Sequence, residues 1–301
     1  MIKAKKSLGQ NFLVDRRVAE RIVKAVAPNA TDVIIEIGPG TGALTKLLLA
    51  RAGAVVAIEI DKGLAAALRS SIVEKKFSLL QMDALEVDWA ELIRQGSKAA
   101  LSPQADQTDQ RRVRVVANLP YYISTAIISR LLTAGNEPGS PALYDLTLML
   151  QKEVAERITS APWGREYGYL SVLVQFYSEA TRLFDVPPSA FEPEPKVESA
   201  VVRLKVRKER IAEVDDEAGF LLLVRASFAQ RRKTIMNNLK AAAKSLGISD
   251  AEGIFNRACI DARRRAETLT IQEFAALYAA TRFQDKANMG QRKLSKGGNT
   301  R

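Results

Sequence analysis

Short apolar runs alternate with amphipathic segments along the first half of the chain. Four runs rich in β-branched or other apolar residues are predicted strands: Val33–Ile37, Val55–Ile60, Phe77–Met82 and Val113–Ala117. Between them apolar residues recur at helical spacing, as in Leu64–Val73. Because strands alternate with helices, the pattern predicts a parallel sheet covered on both faces.

Beyond the fourth strand the pattern is less regular. Leu143–Leu150 and Ala200–Val206 are predicted strands, while Tyr169–Tyr177 fits either a buried helix or a strand. Residues 95–110 are rich in Gly, Ser, Pro, Gln and Asp and are predicted to form a flexible loop. Residues 187–196 contain four prolines, which predicts an extended loop before the last strand.

A change in composition near residue 207 predicts a domain boundary. From about Lys208 the apolar residues recur at helical spacing, and the last residues are rich in Gly and Lys without periodicity. We therefore predict a sheet domain over residues 1–207, a helical domain over 208–284 and a disordered basic tail over 285–301.

Composition narrows the chemistry. Lys and Arg number 45 against 34 Asp and Glu, a formal charge of +11 that favours polyanionic partners such as nucleic acid. There is no histidine and one cysteine, Cys259, which excludes an internal disulfide, a Cys/His zinc site and a histidine-based triad. No apolar run reaches the roughly 20 residues of a spanning helix, and the N-terminus lacks a signal-peptide core. We expect a cytoplasmic protein.

The ends of the predicted strands carry the candidate chemistry. Glu36 opens a loop in which Gly38 and Gly40 allow backbone amides to approach a ligand at a helix start. Glu59 ends the second strand, where a carboxylate can accept both ribose hydroxyls. After the third strand, Asp83 suits the amino group of an adenine ring, and Met82 suits its face. Since parallel strands end at one edge of a sheet, these residues predict a nucleotide or nucleoside site.

The tetrapeptide Asn118-Leu119-Pro120-Tyr121 follows the fourth predicted strand. The side-chain oxygen of Asn118 and the carbonyl of Pro120 can accept both hydrogens of an exocyclic amine, while Tyr121 offers a flat face for a base. These acceptors orient the amine lone pair, so no strong base is required. The tetrapeptide therefore predicts a holder for a flipped nucleobase.

Together these segments resemble the ribosomal RNA adenine N6-dimethyltransferase family, in its small-subunit (KsgA/Dim-type) branch. Ser7–Leu13 is similar to the N-terminal motif of that family, Phe184–Ser199 to its late loop and Phe228–Thr234 to part of its helical domain. The resemblance covers roughly residues 5–280 in order. It departs at Tyr122, where the family usually has Asn, and we interpret Tyr122 as part of the pocket wall rather than as a second stacking surface.

The resemblance implies a Rossmann-like class I methyltransferase sheet, a smaller all-helical C-terminal domain, S-adenosylmethionine as cofactor and no metal. The cofactor-binding residues that it implies are Gln10, Asn11, Leu13, Glu36, Gly38, Gly40, Glu59, Ile60, Met82, Asp83, Ala84 and Asn118. The catalytic residues that it implies are Asn118, Pro120, Tyr121 and Phe191. Phe191 would be the second face of the base site, and its alternative role is a core residue under the proline-rich loop.

The resemblance also implies the partner and the reaction. Residues 1–207 would be the catalytic domain, and residues 208–284 would bind small-subunit ribosomal RNA or the pre-ribosomal small subunit. Phosphate contacts are expected at two basic clusters, one around Arg231–Lys233 and one at Arg263–Arg265. The expected product is two adjacent adenines near the 3′ end of 16S rRNA, each dimethylated at N6, and the expected enzyme is a monomer.

Three other functions were weighed. An Erm-type methylase of large-subunit RNA shares the Asn-containing motif, but the segment from Phe228 to Thr234 argues for the small-subunit type. A non-catalytic RNA-binding assembly factor could use the same fold; the intact acids and Asn118 speak against lost activity and leave open an added assembly role. A NAD-dependent oxidoreductase would give Asp83 and Asn118 no clear purpose.

Overall fold

The computed structural model of the protein describes residues 4–5, 8–99, 112–120, 122–135 and 143–282. These residues divide into two compact units. Unit 1 contains the described residues of Met1–Thr159 and Tyr177–Lys208, and unit 2 contains those of Ser160–Phe176 and Glu209–Arg301. None of the helices in the described ranges has both the length and the apolar character required to cross a membrane.

Unit 1 is built on a seven-stranded sheet. A second, two-stranded sheet includes part of the N-terminal segment. The strands in chain order are β1 Phe12–Leu13, β2 Val33–Ile37, β3 Ala54–Glu59, β4 Phe77–Gln81, β5 Val113–Asn118, β6 Leu143–Gln151, β7 Ser178–Val186, β8 Phe191–Glu192 and β9 Ser199–Val206. The large sheet has the order β4-β3-β2-β5-β6-β9-β7, and β1 pairs with β8.

The large sheet is mixed rather than wholly parallel. Strands β2 to β6 pair in parallel, as the alternation of strands and helices predicts. β9 pairs antiparallel with both β6 and β7, at an edge for which the sequence pattern predicted no pairing direction. The chain reverses here because β9 follows β7 and β8 without an intervening crossover helix of the kind that parallel pairing needs.

Helices connect the parallel strands of unit 1. They are α1 Arg16–Val26, α2 Thr45–Leu49, α3 Lys62–Ser71, α4 Trp89–Ala99, α5 Ser124–Ala134 and α6 Lys152–Thr159. In α1 the buried residues recur three or four positions apart, at Ala19, Ile22, Val23 and Val26. The carboxylate of Asp15 accepts hydrogen bonds from the first turn and so begins this helix. β2 is buried along its whole length, as its β-branched run predicts for a central strand.

A buried ion network fixes the register of the central strands. The Arg114 guanidinium on β5 donates to both oxygens of Asp145 on β6, each at 2.7 Å, and Arg114 and Asp145 are also direct partners in the ladder. The same guanidinium lies 3.2 Å from Asp32, the residue before β2. All three side chains are almost fully buried. Because a slip of one residue would separate these charges in a low-dielectric interior, the network specifies one register for β2, β5 and β6.

Unit 2 is helical among its described residues. Its helices are α7 Tyr169–Tyr177, which ends at the division between the units, α8 Glu217–Ser227, α9 Ile235–Ala242, α10 Ala251–Ala258 and α11 over residues 271–282. The ring centroids of Phe176 and Phe220 lie 4.9 Å apart, and Tyr167 meets Phe228 edge-on at 6.0 Å. These aromatic contacts tie the segment before α7 and α7 itself to α8.

The division into units differs in one respect from the predicted domains. The predicted boundary near residue 207 lies beside the division between Lys208 and Glu209. Residues 160–176, which the prediction kept in the first domain, group instead with the C-terminal helices. The physical reason is the packing of Tyr167 and Phe176 on aromatic residues of unit 2. The predicted tail, residues 285–301, lies outside the described residues.

Several local predictions need correction. α4 continues to Ala99, so the predicted loop does not begin at residue 95; the rest of that loop, residues 100–110, lies outside the described ranges. Tyr169–Tyr177 is a helix, and the strand β7 that follows it was not predicted. The proline-rich loop contains one 3₁₀ turn, Pro188–Ala190, and the short strand β8. Strand β7 was not predicted because apolar and polar residues do not alternate regularly along it. Its burial at the edge of the sheet is irregular in the same way.

We predict that Arg114→Met lowers the free energy of unfolding by about 3–5 kcal/mol, because it leaves the buried carboxylate of Asp32 without its cation and removes one of the two arginines paired with Asp145, the other being Arg203 at 2.6 Å. The control is Arg16→Met, which removes an exposed pair with Glu20 and should cost less than about 1 kcal/mol. Urea denaturation measures both. Equal losses for the two variants would contradict a register network at Arg114.

Candidate active site

A cavity opens at the carboxyl ends of four neighbouring parallel strands. The segments that follow β2, β3, β4 and β5 all line it, together with the N-terminal segment Leu8–Leu13. Its empty space, mouth included, is about 1140 Å³, which is large enough for a nucleoside-sized ligand. β2 and β5 are neighbours in the sheet although β3 and β4 lie between them in sequence. The cavity therefore lies at a topological switch point of the sheet, where ligands bind in open α/β folds.

The glycine loop after β2 forms one wall of the cavity. Gly38, Gly40 and Gly42 have φ angles of 65°, 57° and 83°, in the left-handed region that favours glycine. At Gly40 a Cβ atom would also lie 3.1 Å from the Phe12 ring. The amide of Gly40 donates to the Glu59 carboxylate at 3.2 Å. The loop thus needs glycine for its conformation, and Gly38 and Gly40 line the cavity.

Glu59 is buried at the end of β3 and is held by two backbone amides. One oxygen accepts from Asp61 at 2.9 Å and the other accepts from Gly40 at 3.2 Å. Burial raises the pKa of the Glu59 carboxyl, and these two amides oppose the rise. Asp61 has a different role: its carboxylate accepts from the first amides of α3 and forms an ion pair with Lys5 at 2.7 Å. Of the two neighbouring acids, Glu59 is the one that lines the cavity.

Glu36 is the second buried acid of the cavity. Burial raises the pKa of its carboxyl from 4.5 to about 7; the Thr45 hydroxyl opposes this rise, and the nearby Glu59 adds to it. Its Oε2 atom has no hydrogen-bond partner within the protein. A buried acceptor without a partner is costly, so this oxygen is suited to receiving a donor from a ligand.

The segment after β4 adds the third wall. Met82, Asp83 and Ala84 all line the cavity, and the Met82 amide donates to the carbonyl of Glu59 at 3.1 Å. The Asp83 carboxylate accepts from the Leu85 amide at 2.8 Å, which fixes its orientation. Ile60, the residue after β3, is partly exposed at the same wall. An apolar surface here lies next to a fixed carboxylate.

Asn118 ends β5 and faces the cavity. Its Nδ2 atom donates to the carbonyl of Asn11 at 3.1 Å. Because the amide nitrogen is occupied in this way, the Oδ1 atom is the group of Asn118 available as an acceptor. The carbonyl of Pro120 accepts from the Ile123 amide at 3.2 Å and retains a second lone pair. The structure therefore brings both predicted amine acceptors to one cavity.

The two predicted aromatic faces are placed differently. Tyr121 lies outside the described residues, so its predicted role stays a prediction. Phe191 is 3% exposed and packs within the core of unit 1, where it pairs with Leu13 across the β1–β8 ladder. It is not among the residues lining the cavity. The structure thus places Phe191 in the position of its alternative role, a core residue, and its predicted role as a stacking face stays a prediction.

The N-terminal segment closes part of the cavity. Gln10, Asn11 and Leu13 line it, as predicted. β1 is held by its pairing with β8, and the amide of Val14 donates to Ala190 at 2.9 Å. Gln10 also accepts from the backbone amide of Lys5 at 2.7 Å. The core position of Phe191 therefore serves the cavity indirectly, by anchoring the strand that lines it.

Sequence reasoning missed part of the lining. Phe12, which stands between predicted residues, packs on the glycine loop. Tyr122, which the sequence interpretation assigned to the pocket wall, is exposed and lines the cavity, 3.4 Å from where a Cβ on Gly9 would be. The ion pair between Lys5 and Asp61 had no signal in the sequence, because it joins residues far apart in the chain. Within the described ranges, no group of three or more Cys, Asp or Glu side chains is placed to hold a metal ion.

The strand order and the cavity at the carboxyl ends of β2 to β5 are those of the class I methyltransferase fold. Solved structures agree on the fold. The dimethyladenosine transferase from Plasmodium falciparum has a TM-score of 0.70 at 22% identity and covers 92% of this chain and 98% of its own. The 23S rRNA methyltransferase ErmE has a TM-score of 0.63 at 24% identity, with coverages of 90% and 100%.

The chain belongs to the ribosomal RNA adenine dimethylase family, whose model matches residues 1–277. Ribosomal RNA small subunit methyltransferase A from Clostridium botulinum (strain Kyoto / Type A2) is 43% identical over 276 residues, which span 91% of this chain and 93% of the relative. The protein of the same name from Bacillus licheniformis is 44% identical, with coverages of 91% and 89%. The chain is accordingly an rRNA adenine dimethyltransferase, which uses a methyl donor of the S-adenosylmethionine type.

The raised pKa of Glu36 predicts a pH-dependent loss of stability in the cofactor-free protein. Folding raises this pKa from 4.5 to about 7, so the folded protein retains a proton that the unfolded chain has released. The stability is full below pH 4.5 and falls as the pH rises towards 7. Glu36→Gln removes this effect, so the variant should gain roughly 3 kcal/mol over the wild type across that interval. Urea denaturation at a series of pH values measures the difference; a difference that does not change with pH would contradict the burial of Glu36.

Proposed function

We propose that this enzyme transfers methyl groups from S-adenosylmethionine to the N6 amine of adenine in small-subunit ribosomal RNA, at two adjacent adenines near the 3′ end of 16S rRNA. The observation that carries the proposal is the fixed amide of Asn118, whose nitrogen is held by Asn11 and whose oxygen is left as an acceptor at the cavity. Relatives more than 40% identical that are named for the small subunit support the choice of RNA.

The cavity has the donor and acceptor groups that S-adenosylmethionine requires. The loop at Gly38 and Gly40 would lie against the cofactor, and the Glu59 carboxylate would accept its ribose hydroxyls. Asp83 would accept the adenine amine of the cofactor, with Met82 and the neighbouring Ile60 and Ala84 against the ring. These groups fit a ligand with an adenosine moiety.

The other end of the cavity fits the methionine part of the cofactor. The unpartnered Oε2 of Glu36 is a buried acceptor, and an ammonium group is a donor that would satisfy it. Gln10, Asn11 and Leu13 border the same region through the N-terminal segment. The bound cofactor supplies a methyl group on a positively charged sulfur, which is open to attack by a neutral nitrogen.

The residues of the chain orient the target amine for that attack. The lone pair of an adenine amine is delocalised into the ring, so the nitrogen is a weak nucleophile. Oδ1 of Asn118 and the carbonyl of Pro120 would each accept one amine hydrogen, which favours a pyramidal nitrogen with its lone pair directed out of the ring plane. Neither acceptor is a strong base, and the absence of histidine from the chain is consistent with this mechanism.

The target adenine must leave its RNA stack to reach the cavity. Unstacking a base costs a few kcal/mol, and an aromatic side chain can offset about 1–3 kcal/mol of it. Tyr121, which follows Pro120 in the sequence, remains the proposed platform. The exposed ring of Tyr122 beside Gly9 is a wall of the same cavity.

The RNA itself is proposed to bind through basic residues of unit 2. Arg231, Arg232 and Lys233 are exposed, and so are Arg263 and Arg265. Such clusters contact phosphates and give an affinity that falls with salt concentration. The excess of 45 basic over 34 acidic residues in the whole chain is consistent with a polyanionic substrate.

Asn118→Ala should lower the rate of methyl transfer to unmethylated small ribosomal subunits by about 100-fold or more, because it removes an acceptor that acts on the reacting amine. The dissociation constant of S-adenosylmethionine, measured by calorimetry, should change far less than the rate. Labelled-methyl incorporation measures the rate. A variant with near-normal incorporation would rule out Asn118 as the group that orients the amine.

Glu59→Gln should weaken the binding of S-adenosylmethionine by roughly 10- to 100-fold, the effect expected for hydrogen bonds to a buried charged acceptor. The matched control is Glu86→Gln, an exposed glutamate that follows the neighbouring strand β4 and does not line the cavity. Calorimetry on both variants gives the comparison. If Glu59→Gln bound the cofactor as tightly as the control, Glu59 would have no part in the site.

A further inference from the structure

Trp163 is unusual in unit 2 because its ring is exposed to solvent. It is 74% exposed, whereas the other tryptophan of the chain, Trp89, is 3% exposed. It lies between α6 and α7 in the segment Ala161–Gly168, outside any helix or strand. A large aromatic ring buries much apolar surface when it packs, so its exposure here calls for a partner.

The backbone of Trp163 is strained as well. Its φ angle is 71°, in a region that a bulky side chain rarely adopts. Ala27 and Cys259 also have positive φ among the described non-glycine residues, but both cap the C-terminus of a helix, where this conformation is common. Trp163 is not in such a position. Strain of this kind costs on the order of 1–3 kcal/mol and concentrates at sites that clamp a ligand.

The segment is held in this conformation by hydrogen bonds. The Trp163 amide donates to the carbonyl of Glu267 at 2.8 Å. Within the segment, Gly164 donates to Ala161 at 3.0 Å and Tyr167 donates to Gly164 at 3.1 Å. Three bonds therefore fix the backbone that presents the ring.

One arginine lies at the Trp163 ring and another contacts the same segment of chain. The Arg264 guanidinium lies 5.9 Å from the Trp163 ring centroid and is itself anchored by the carboxylate of Glu273. Arg231 donates to the carbonyl of Arg165 at 2.6 Å. These contacts bring Arg264 to the Trp163 ring and Arg231 to the segment that carries it.

Arg165, Arg231 and Arg265 are each more exposed than the acid that they approach. Arg231 and Arg265 both approach the carboxylate of Glu267, at 3.7 and 3.9 Å, and Glu267 is only 25% exposed. Arg165, which lies in the same segment as Trp163, is 96% exposed. The solvent-exposed charge around Trp163 is therefore mainly positive. The less exposed carboxylates form ion pairs that orient the arginines.

We propose that Trp163 stacks on an unpaired base of the ribosomal RNA substrate, while Arg231 and Arg265 contact the adjoining phosphates. The inference rests on the proposed function and adds to it a site in unit 2 for a second nucleotide. An exposed aromatic ring beside arginines is the arrangement by which proteins hold single-stranded RNA, because every base has a face to stack and every nucleotide a phosphate. A paired A-form helix hides its base faces, so a loop, bulge or end is the element recognised.

The first experiment measures affinity for the naked, unmethylated small-subunit rRNA and for unmethylated small subunits. Trp163→Ala should weaken binding to both by roughly 5- to 100-fold, the range that stacking of one base gives. Trp163→Phe, which keeps a flat ring, should recover most of the affinity. Binding of Trp163→Ala that equals the wild type would overturn the proposal. A loss confined to assembled subunits would also overturn it, since the partner would then be a protein.

Trp163→Gly separates recognition from folding. Glycine adopts a positive φ without strain, so this variant should melt at the same temperature as the wild type or higher, and yet bind RNA as weakly as Trp163→Ala. If Trp163→Gly lowered the melting temperature, the ring would have a packing role and the proposal would fail.

Salt dependence separates stacking from phosphate contacts. Arg265→Gln should reduce the slope of log affinity against log salt by about 0.7, the value for one phosphate of a single strand, whereas Trp163→Ala should leave the slope unchanged. A change of slope in Trp163→Ala would contradict a stacking role.

The wild type is assayed in parallel for labelled-methyl transfer. Absence of transfer to small-subunit RNA would overturn the proposed function. Transfer by the wild type, together with unaltered RNA binding by Trp163→Ala, would overturn this inference alone.

Discussion

The register of the central parallel strands is the constraint on which the site depends. Arg114 pairs with Asp145 on one neighbouring strand and lies against Asp32 before another, all of them buried at the end of the sheet away from the cavity. Since side chains alternate between faces along a strand, a shift of one residue in β5 would turn Asn118 away from the glycine loop that follows β2. An ion network with no part in the chemistry thus determines where the chemical groups emerge.

At the opposite end of the strands the sheet carries groups that lower its own stability. Glu36 and Glu59 are buried close enough for each to disfavour the charge of the other, and Glu36 retains an unpartnered oxygen. Two hydrogen bonds from backbone amides offset part of the cost of burying the Glu59 carboxylate. One amide belongs to the glycine loop and the other lies just after the end of β3. A ligand that offers hydroxyl and ammonium donors would form hydrogen bonds with both buried carboxyls. The burial that lowers the stability of the ligand-free protein therefore favours ligand binding.

Much of this arrangement could be predicted from sequence, because it follows from local pattern. The β-branched runs of β2, β3 and β5 and the residues at their ends were enough to bring Gly38, Glu59 and Asn118 to one edge. Long-range pairing was not accessible in the same way. The strand β1 has two residues, and its pairing with β8 decides that Phe191 is a core residue. Residues 169–177 form an apolar run that fits helix or strand, and packing on unit 2 decides it.

The central claim is that one cavity at the strand ends joins a methyl donor to an adenine amine of small-subunit RNA. The most direct test gives the wild-type enzyme labelled S-adenosylmethionine with unmethylated small and large ribosomal subunits at equal concentration, and maps the labelled nucleotides after nuclease digestion. We expect label on N6-dimethylated adenines of small-subunit RNA, at two adjacent positions near its 3′ end. Label found only in large-subunit RNA, or on another atom of the base, would contradict it.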